Sequence, residues 1–584
     1  MQQKFVSIIF VCLFLIGACV RVVNIRQPVN TKSWREADVA SIARNYYRES
    51  MNLTEPRIDW RGDGQGFTES EFPIYPWMIA LLYKLFGYHE IFGRFLSYLF
   101  SIIALWTFIR LARYLLSNEA AIFACAFYAI APLTISISTS LQPDGLMFMF
   151  YLLAVYFFVR WTDEENDKHY ILAVITTAMA LLAKLSAAHI GLVFGALLFT
   201  RRRFSMLKEW RVWLFGASVL LPSIVWYSYA KQLWLTYGNS LGISNEQHFA
   251  GMNIFHNSLL IKGIAHLEFD FVLLPVGWLL IVFVLLTQRK SHLAQLCFFW
   301  LTAILIYYLL AANTTSAGWA YYYHVVAVPP IALLLGQAVS AININISRQM
   351  IKWLLVVLFI FALAFVALTV ITLHTRFSLW FLKTAELFVF TGLTTLLLRF
   401  LRGANEETVS LNFYQRILSY VVIICFAVSL VFETTLLQGT LKWHRTDLYD
   451  CAQTFTPQIP PNTLVLSSGG DCRGLYGQKV AYNISYMFYW LDRKGFSICR
   501  EEQTIARVKE FHRRGAKFFI AEKSSLDLKK GFEEELKKTF ARKAECKDAY
   551  LFELEKNNDE SNTLTNRDKN LPISNGCAWL DTTR

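Results

Sequence analysis

Asp38, Glu71, Asp144 and Lys184 stand out in a chain that otherwise uses few charges. Asp38 lies in Ser33-Trp34-Arg35-Glu36-Ala37-Asp38, and Glu71 precedes Phe72-Pro73. Asp144 lies in Gln142-Pro143-Asp144-Gly145 at the head of an apolar run. Lys184 interrupts Leu181-Leu182-Ala183-Lys184-Leu185-Ser186, and Tyr321-Tyr322-Tyr323-His324 opens a further apolar, proline-containing run. A carboxylate in reach of a hydroxyl or amine can take its proton. A compact lysine cation suits a lipid phosphate. Ionisable residues at the ends of apolar segments are functional candidates when they face a cavity.

Each residue also has a plainer reading. Ser33 and Glu36 form a capping-box pair, and Val39, Ile42, Ala43, Tyr46 and Tyr47 recur at helical spacing. This predicts an amphipathic helix able to lie on a membrane, with Asp38 a solvated acid on its polar side near the positive end of the helix dipole. Asp144 is a good N-cap. Lys184 could snorkel to the interface, the tyrosines could form an aromatic belt, and a lone histidine such as His324 is usually structural. Taken singly, these residues leave both readings open.

The elements that must position them are dictated by composition. The chain has 584 residues, 55% hydrophobic and only 17% charged, where a soluble protein has nearer a quarter charged. Apolar blocks of about 20 residues match a bilayer crossing. Some thirteen spanning helices are expected, near 5–23, 95–110, 119–137, 144–160, 170–184, 187–200, 212–230, 269–287, 293–312, 321–340, 351–372, 378–398 and 416–435. The net charge of +13 arises from bursts after apolar blocks, at Arg110 and Arg113, Arg201 to Arg203, Arg289 and Lys290, and Arg399 and Arg402. That is the positive-inside pattern, and it argues against nucleic-acid binding. Ile74 to Phe86, about 13 residues, is short for a crossing and suits an interfacial or re-entrant helix. With the N-terminus inside, this leaves the long loop 26–94 and its charges outside. The N-terminal apolar run lacks an A-x-A site and reads as an uncleaved first membrane helix.

Beyond the last helix, residues 439–556 read as a small α/β domain, outside by parity. Leu464-Val465-Leu466, Phe518-Phe519-Ile520 and Ala549 to Leu554 read as strands, and Thr504 to Arg514 as a helix. Residues 557–584 read as a disordered tail. Cys12, Cys19, Cys125, Cys297 and Cys425 fall in apolar blocks and pack there. Cys451, Cys472, Cys499, Cys546 and Cys577 allow one or two disulfides with one cysteine over, in a pairing that sequence does not give.

In order, the pattern WREAD, EFPIYPW, QPD, a lone Lys and YYYH before a proline-containing helix resembles the bacterial membrane glycosyltransferases related to dolichyl-phosphate-mannose protein mannosyltransferases and the lipid A aminoarabinose transferases. The resemblance covers most of the membrane region and implies a mainly α fold, a C-type glycosyltransferase bundle over 1–438 followed by the α/β domain. It implies a polyprenyl-phosphate sugar as donor and a glycan, lipid or protein as acceptor, in the inner membrane with the site on the extracytoplasmic face. By the same resemblance Asp38 is the leading general base, Asp144 a second acid, Glu71 the match to a family Glu, and Lys184 and Tyr322 lie near the carrier phosphate; the expected mechanism adds Glu36 to Glu71 for positioning sugar or acceptor, and His324 to the phosphate grip. Phe72 stands where the aminoarabinose transferases have Lys, which argues against aminoarabinose as the sugar. The missing charge would then come from Lys184, Arg35, Arg61 or a divalent cation held by Asp38 and Asp144. A lipid-linked sugar flippase or secondary transporter is one rival, although the acids gather at one face and no internal repeat is visible. An undecaprenyl-glycan polymerase or ligase is the other.

Overall fold

The computed structural model describes residues 2–341 and 446–555, apart from 244–247, 274–276, 279, 280, 283, 286, 287, 474–483 and 527–530. The crossings expected at 351–372, 378–398 and 416–435, Cys425, Cys577 and the tail lie outside the described residues. Among those described, six helices are long and apolar enough to cross a membrane: Lys4–Arg21, Ile91–Leu115, Asp144–Glu164, Trp210–Tyr237, His292–Leu310 and Gly318–Ala338. A bent pair, Asn118–Ile130 and Pro132–Thr139, makes a seventh if counted as one span. The chain is a multi-pass membrane protein.

We label the N-terminal helices α1 (Gln2–Arg21), α2 (Trp34–Arg48), α3 (Ile74–Phe86), α4 (Ile91–Leu115), α5 (Asn118–Ile130), α6 (Pro132–Ser136), α7 (Asp144–Glu164), α8 (Asp167–Ala183), α9 (Ile190–Arg202) and α10 (Trp210–Tyr237). The segment read as a short helix is α3, of 13 residues. The crossings expected at 170–184 and 187–200 are α8 and α9, of 17 and 13 residues. They are separated by a tight 3-10 turn at Leu185–His189, and neither is long enough to count among the six.

α5 and α6 are bent by 49° at Ala131-Pro132. Proline removes a helical donor and frees carbonyls of the preceding turn. Arg21, fully buried at the end of α1, receives them: it donates to the Tyr128 carbonyl at 3.0 Å, the Ala129 carbonyl at 2.5 Å and Thr134 Oγ1 at 2.6 Å. Its other N–H groups go to Gly17 and Ser101.

The C-terminal described residues form a five-stranded sheet of order β2-β1-β3-β5-β4. β1 (Leu464–Ser468) pairs in parallel with β2 (Gly495–Ile498) and β3 (Ala516–Glu522). β5 (Ala549–Glu553) is antiparallel to both β3 and β4 (Ala541–Glu545). The period of two sorts the strands between two cores. Leu466, Phe519 and Phe552 pack with Val508, Phe511 and Leu536 of the outer helices. Val465, Phe518, Ile520 and Leu551 join the large core that continues through Met487 and Phe488 into the membrane helices. Two disulfides close this region, Cys451–Cys546 and Cys472–Cys499. The second takes up the thiols of the group Cys472, Cys499 and Glu501, whose spacing would otherwise suit a metal.

Candidate functional site

α2 is polar in sequence and buried in the structure. Every residue from Arg35 to Tyr46 is buried, between α3 and the short helix Ser485–Leu491. This corrects the expectation of a helix lying on the membrane with a solvated Asp38. The burial is tolerable because each charge has a partner. Arg35 pairs with Glu71. Glu36 pairs with Arg94 of α4. Arg44 pairs with Asp59 at 2.7 Å, and Asn45 donates to the other oxygen of Asp59 at 2.8 Å. The expected capping box is half formed. Ser33 Oγ accepts from the Glu36 backbone N–H, but the Glu36 side chain turns to Arg94 and to the Leu141 N–H, at 2.9 Å.

Asp38 is wholly buried, and its Oδ1 accepts from the Trp60 indole N–H at 2.9 Å. The hydroxyl of Ser485 also reaches it. Burial pushes the Asp38 carboxyl up to about 7, against the opposing pull of Trp60, Arg35 and Ser485. A carboxylate that titrates near neutrality is suited to general-base work.

Asp144 opens α7 without capping it: the N-cap is Pro143 and makes no side-chain bond. Its Oδ1 instead takes the Lys184 ammonium at 2.7 Å, while Oδ2 is buried without a hydrogen-bond partner. Lys184 ends α8 in an extended conformation and is buried rather than snorkelling. Its Nζ lies 4.7 Å from the Tyr322 ring centroid and 4.1 Å from that of Tyr323, within cation–π range. Arg35 is within electrostatic reach of Asp38, Asp144, Tyr322 and Tyr323. Burial opposes its charge, but Glu71, Tyr322, Tyr323 and Asp144 together more than offset this and hold the guanidinium above its ordinary value. Arg35, Glu71, Asp144, Lys184 and Tyr322 therefore form one cluster, with Arg35 linking it to Asp38.

Phe72, the departure from the aminoarabinose transferases, is seated edge-on against Trp226 of α10 at 5.1 Å. The Phe72 N–H donates to the Leu182 carbonyl at 3.2 Å, fastening the first loop to the end of α8.

The structure does not bring Arg61 or His324 to this cluster. Arg61 is committed to Glu49, at 2.7 and 3.0 Å, and to the Gln65 carbonyl. His324 has both ring nitrogens taken, Nδ1 by Glu268 at 2.6 Å and Nε2 by the Thr315 carbonyl at 2.9 Å. Glu36 is a brace between α2, α4 and the loop leading to Asp144. Of the two acids expected to hold a divalent cation, Asp38 accepts the Trp60 N–H at Oδ1 and Asp144 the Lys184 ammonium at Oδ1. Trp60, Arg94, Tyr323 and Ser485 were not foreseen. Of these, Arg94 had a signal, as an ionisable residue at the mouth of an apolar block.

Residues 70–226 match the family model described as dolichyl-phosphate-mannose-protein mannosyltransferase. No curated protein sequence matches the chain. Among solved structures, ArnT from Cupriavidus metallidurans bound to undecaprenyl phosphate is similar at a TM-score of 0.55 and 14% identity, over 94% of this chain and 98% of that one. The same protein in the apo state gives 0.52 and 13%, over 95% and 98%. The matched segment holds Glu71, Asp144 and Lys184. That segment thus resembles the mannosyltransferase family model, and the chain as a whole shares the fold of ArnT.

Proposed function

We propose that the protein is a glycosyltransferase that moves a sugar from a polyprenyl-phosphate carrier to an acceptor on the extracytoplasmic side of the inner membrane. One observation carries the reading: a wholly buried carboxylate, Asp38, lies within reach of Arg35, which links it to a buried lysine held by Asp144. The likeness to ArnT bound to undecaprenyl phosphate supports a lipid-phosphate donor, and the two disulfides suit an oxidising compartment.

The reaction is a single inverting displacement. Asp38 takes the proton of the acceptor hydroxyl or amine as that atom bonds to the anomeric carbon. The bond between that carbon and the phosphate oxygen breaks, and polyprenyl phosphate leaves with its electron pair. Lys184 has three N–H groups, of which Asp144 takes one. The others, with Arg35, meet the negative charge that grows on the leaving phosphate, and so favour the transition state over the ground state. Glu71 fixes Arg35, and Tyr322 with Tyr323 covers the lysine. No step is routed through a metal.

Purified protein in lipid nanodiscs, given a panel of labelled polyprenyl-phosphate sugars and acceptors, should release free polyprenyl phosphate with one donor. Passage of intact donor across liposomes without cleavage would replace this reading with a flippase.

A further inference from the structure

Two pieces of the C-terminal region reach the surroundings of Asp38. The first is Ser485, which begins the helix Ser485–Leu491 packed on α2. Its hydroxyl donates to the Trp34 carbonyl at 2.6 Å and lies against the Asp38 carboxylate. The second acts through the first loop. The Gly495 N–H at the start of β2 donates to the Asp59 carbonyl at 3.1 Å, and the Gly62 N–H donates to the Gly495 carbonyl at 2.6 Å. These two bonds clasp Asp59-Trp60-Arg61-Gly62 onto the sheet. The approach is close: Gly62 has φ of +60°, and a Cβ there would sit 2.4 Å from the Phe496 ring. Trp60, in the middle of the clasped segment, gives its indole N–H to Asp38 Oδ1.

We propose that the C-terminal region is the positioning element of the base, with Trp60 and Ser485 as positioning residues that fix the Asp38 carboxylate and favour its ionised form. A donor aimed at a carboxylate stabilises the charged state, and the indole supplies one at Oδ1. The charged groups facing Asp38 are Arg35 on its own helix and Asp59 in the loop. On the helices packed against α2, Tyr486 is given to Glu522, Tyr489 to Glu90, Tyr75 to Gly93 and Ser97, and Lys84 to the face of Tyr47. This inference rests on Asp38 being the base.

The test is the pH profile of transfer by the full chain in nanodiscs, for Trp60→Phe and Ser485→Ala. Trp60→Phe keeps an aromatic ring and removes the donor. Its acidic limb is expected to move up by about 1 pH unit, a charge-assisted hydrogen bond being lost, with turnover recovering at alkaline pH. Ser485→Ala moves the limb the same way. A limb that stays in place in both folded variants overturns the proposal, and if Trp60→Phe does not fold, Ser485→Ala decides by the same measurement. Asp38→Asn separates the two failures. An active Asp38→Asn removes the base assignment itself, whereas an inactive one with unmoved limbs in the other variants removes only the positioning role.

Discussion

Both carboxylate oxygens of Glu36 are taken by Arg94, Oε1 at 3.1 Å from Nη1 and Oε2 at 3.0 Å from Nη2. Oε1 also accepts the Leu141 N–H, three residues before Asp144, and Arg94 donates to the Thr139 carbonyl at 2.7 Å. One ion pair thus ties the helix of Asp38 to the turn that presents Asp144. Glu36→Gln would leave the Arg94 guanidinium buried without its counter-charge, at a cost of about 3–5 kcal/mol. Thermal unfolding of the detergent-solubilised variant should show a clear fall in Tm, with turnover reduced because the two acids lose their common brace.

Asp38→Asn should lower transfer about 10²–10⁴-fold, the usual contribution of a general base, while the protein still folds. Single-turnover release of polyprenyl phosphate measures this, and unchanged turnover would remove Asp38 from the mechanism.

The same substitution makes a prediction about pH. Asp38 is pushed up to about 7 in the folded chain from an ordinary value of 3.8. Between those values the folded state holds a proton that the unfolded state has lost, so stability falls as pH rises through that window. Activity runs the opposite way, since the base must be ionised, and should climb through about pH 7. Asp38→Asn does not ionise, so its stability advantage over the parent should grow from pH 5 to pH 8 in parallel melts.

Lys184→Met strands Asp144, and Asp144→Asn strands Lys184. Each single change should destabilise by about 3–5 kcal/mol, whereas the double variant, with no buried charge left over, should be markedly milder. All three should lose transfer, because the phosphate loses the lysine or its orientation. A double variant as unstable as the worse single would contradict the pairing.

Cys451–Cys546 joins the helix Asp447–Phe455 to the turn between β4 and β5 across 95 residues. Reducing it should loosen the sheet by about 2–5 kcal/mol, seen as faster amide exchange in β4 and β5.

Asp144, Lys184 and Tyr322 were legible because a charge or a run of tyrosines inside apolar sequence needs a reason, and in each case the reason is a buried partner. The plainer readings of Asp144 and Lys184 failed together, since each residue satisfies the other. Asp38 was legible as a candidate, but its burial was not. The period of α2 describes a one-sided helix, and only the C-terminal region, some 450 residues later, covers the other side. Arg61 and His324 misled because a charge or an imidazole in sequence does not reveal whether it is already engaged. The strands at Leu464 and Phe518 followed from short apolar runs and that at Ala549 from alternation, whereas the disulfide pairing needed the fold.

The kink at Ala131-Pro132 and the arginine at position 21 are two halves of one device. Straightening the kink would restore the helix's own bonding and leave a guanidinium stranded in the protein interior. Removing the arginine would strip the carbonyls at the kink of donors where no water can replace them. Neither can be altered alone without harm, so engineers grafting this bundle should transplant Arg21 with the 118–139 segment.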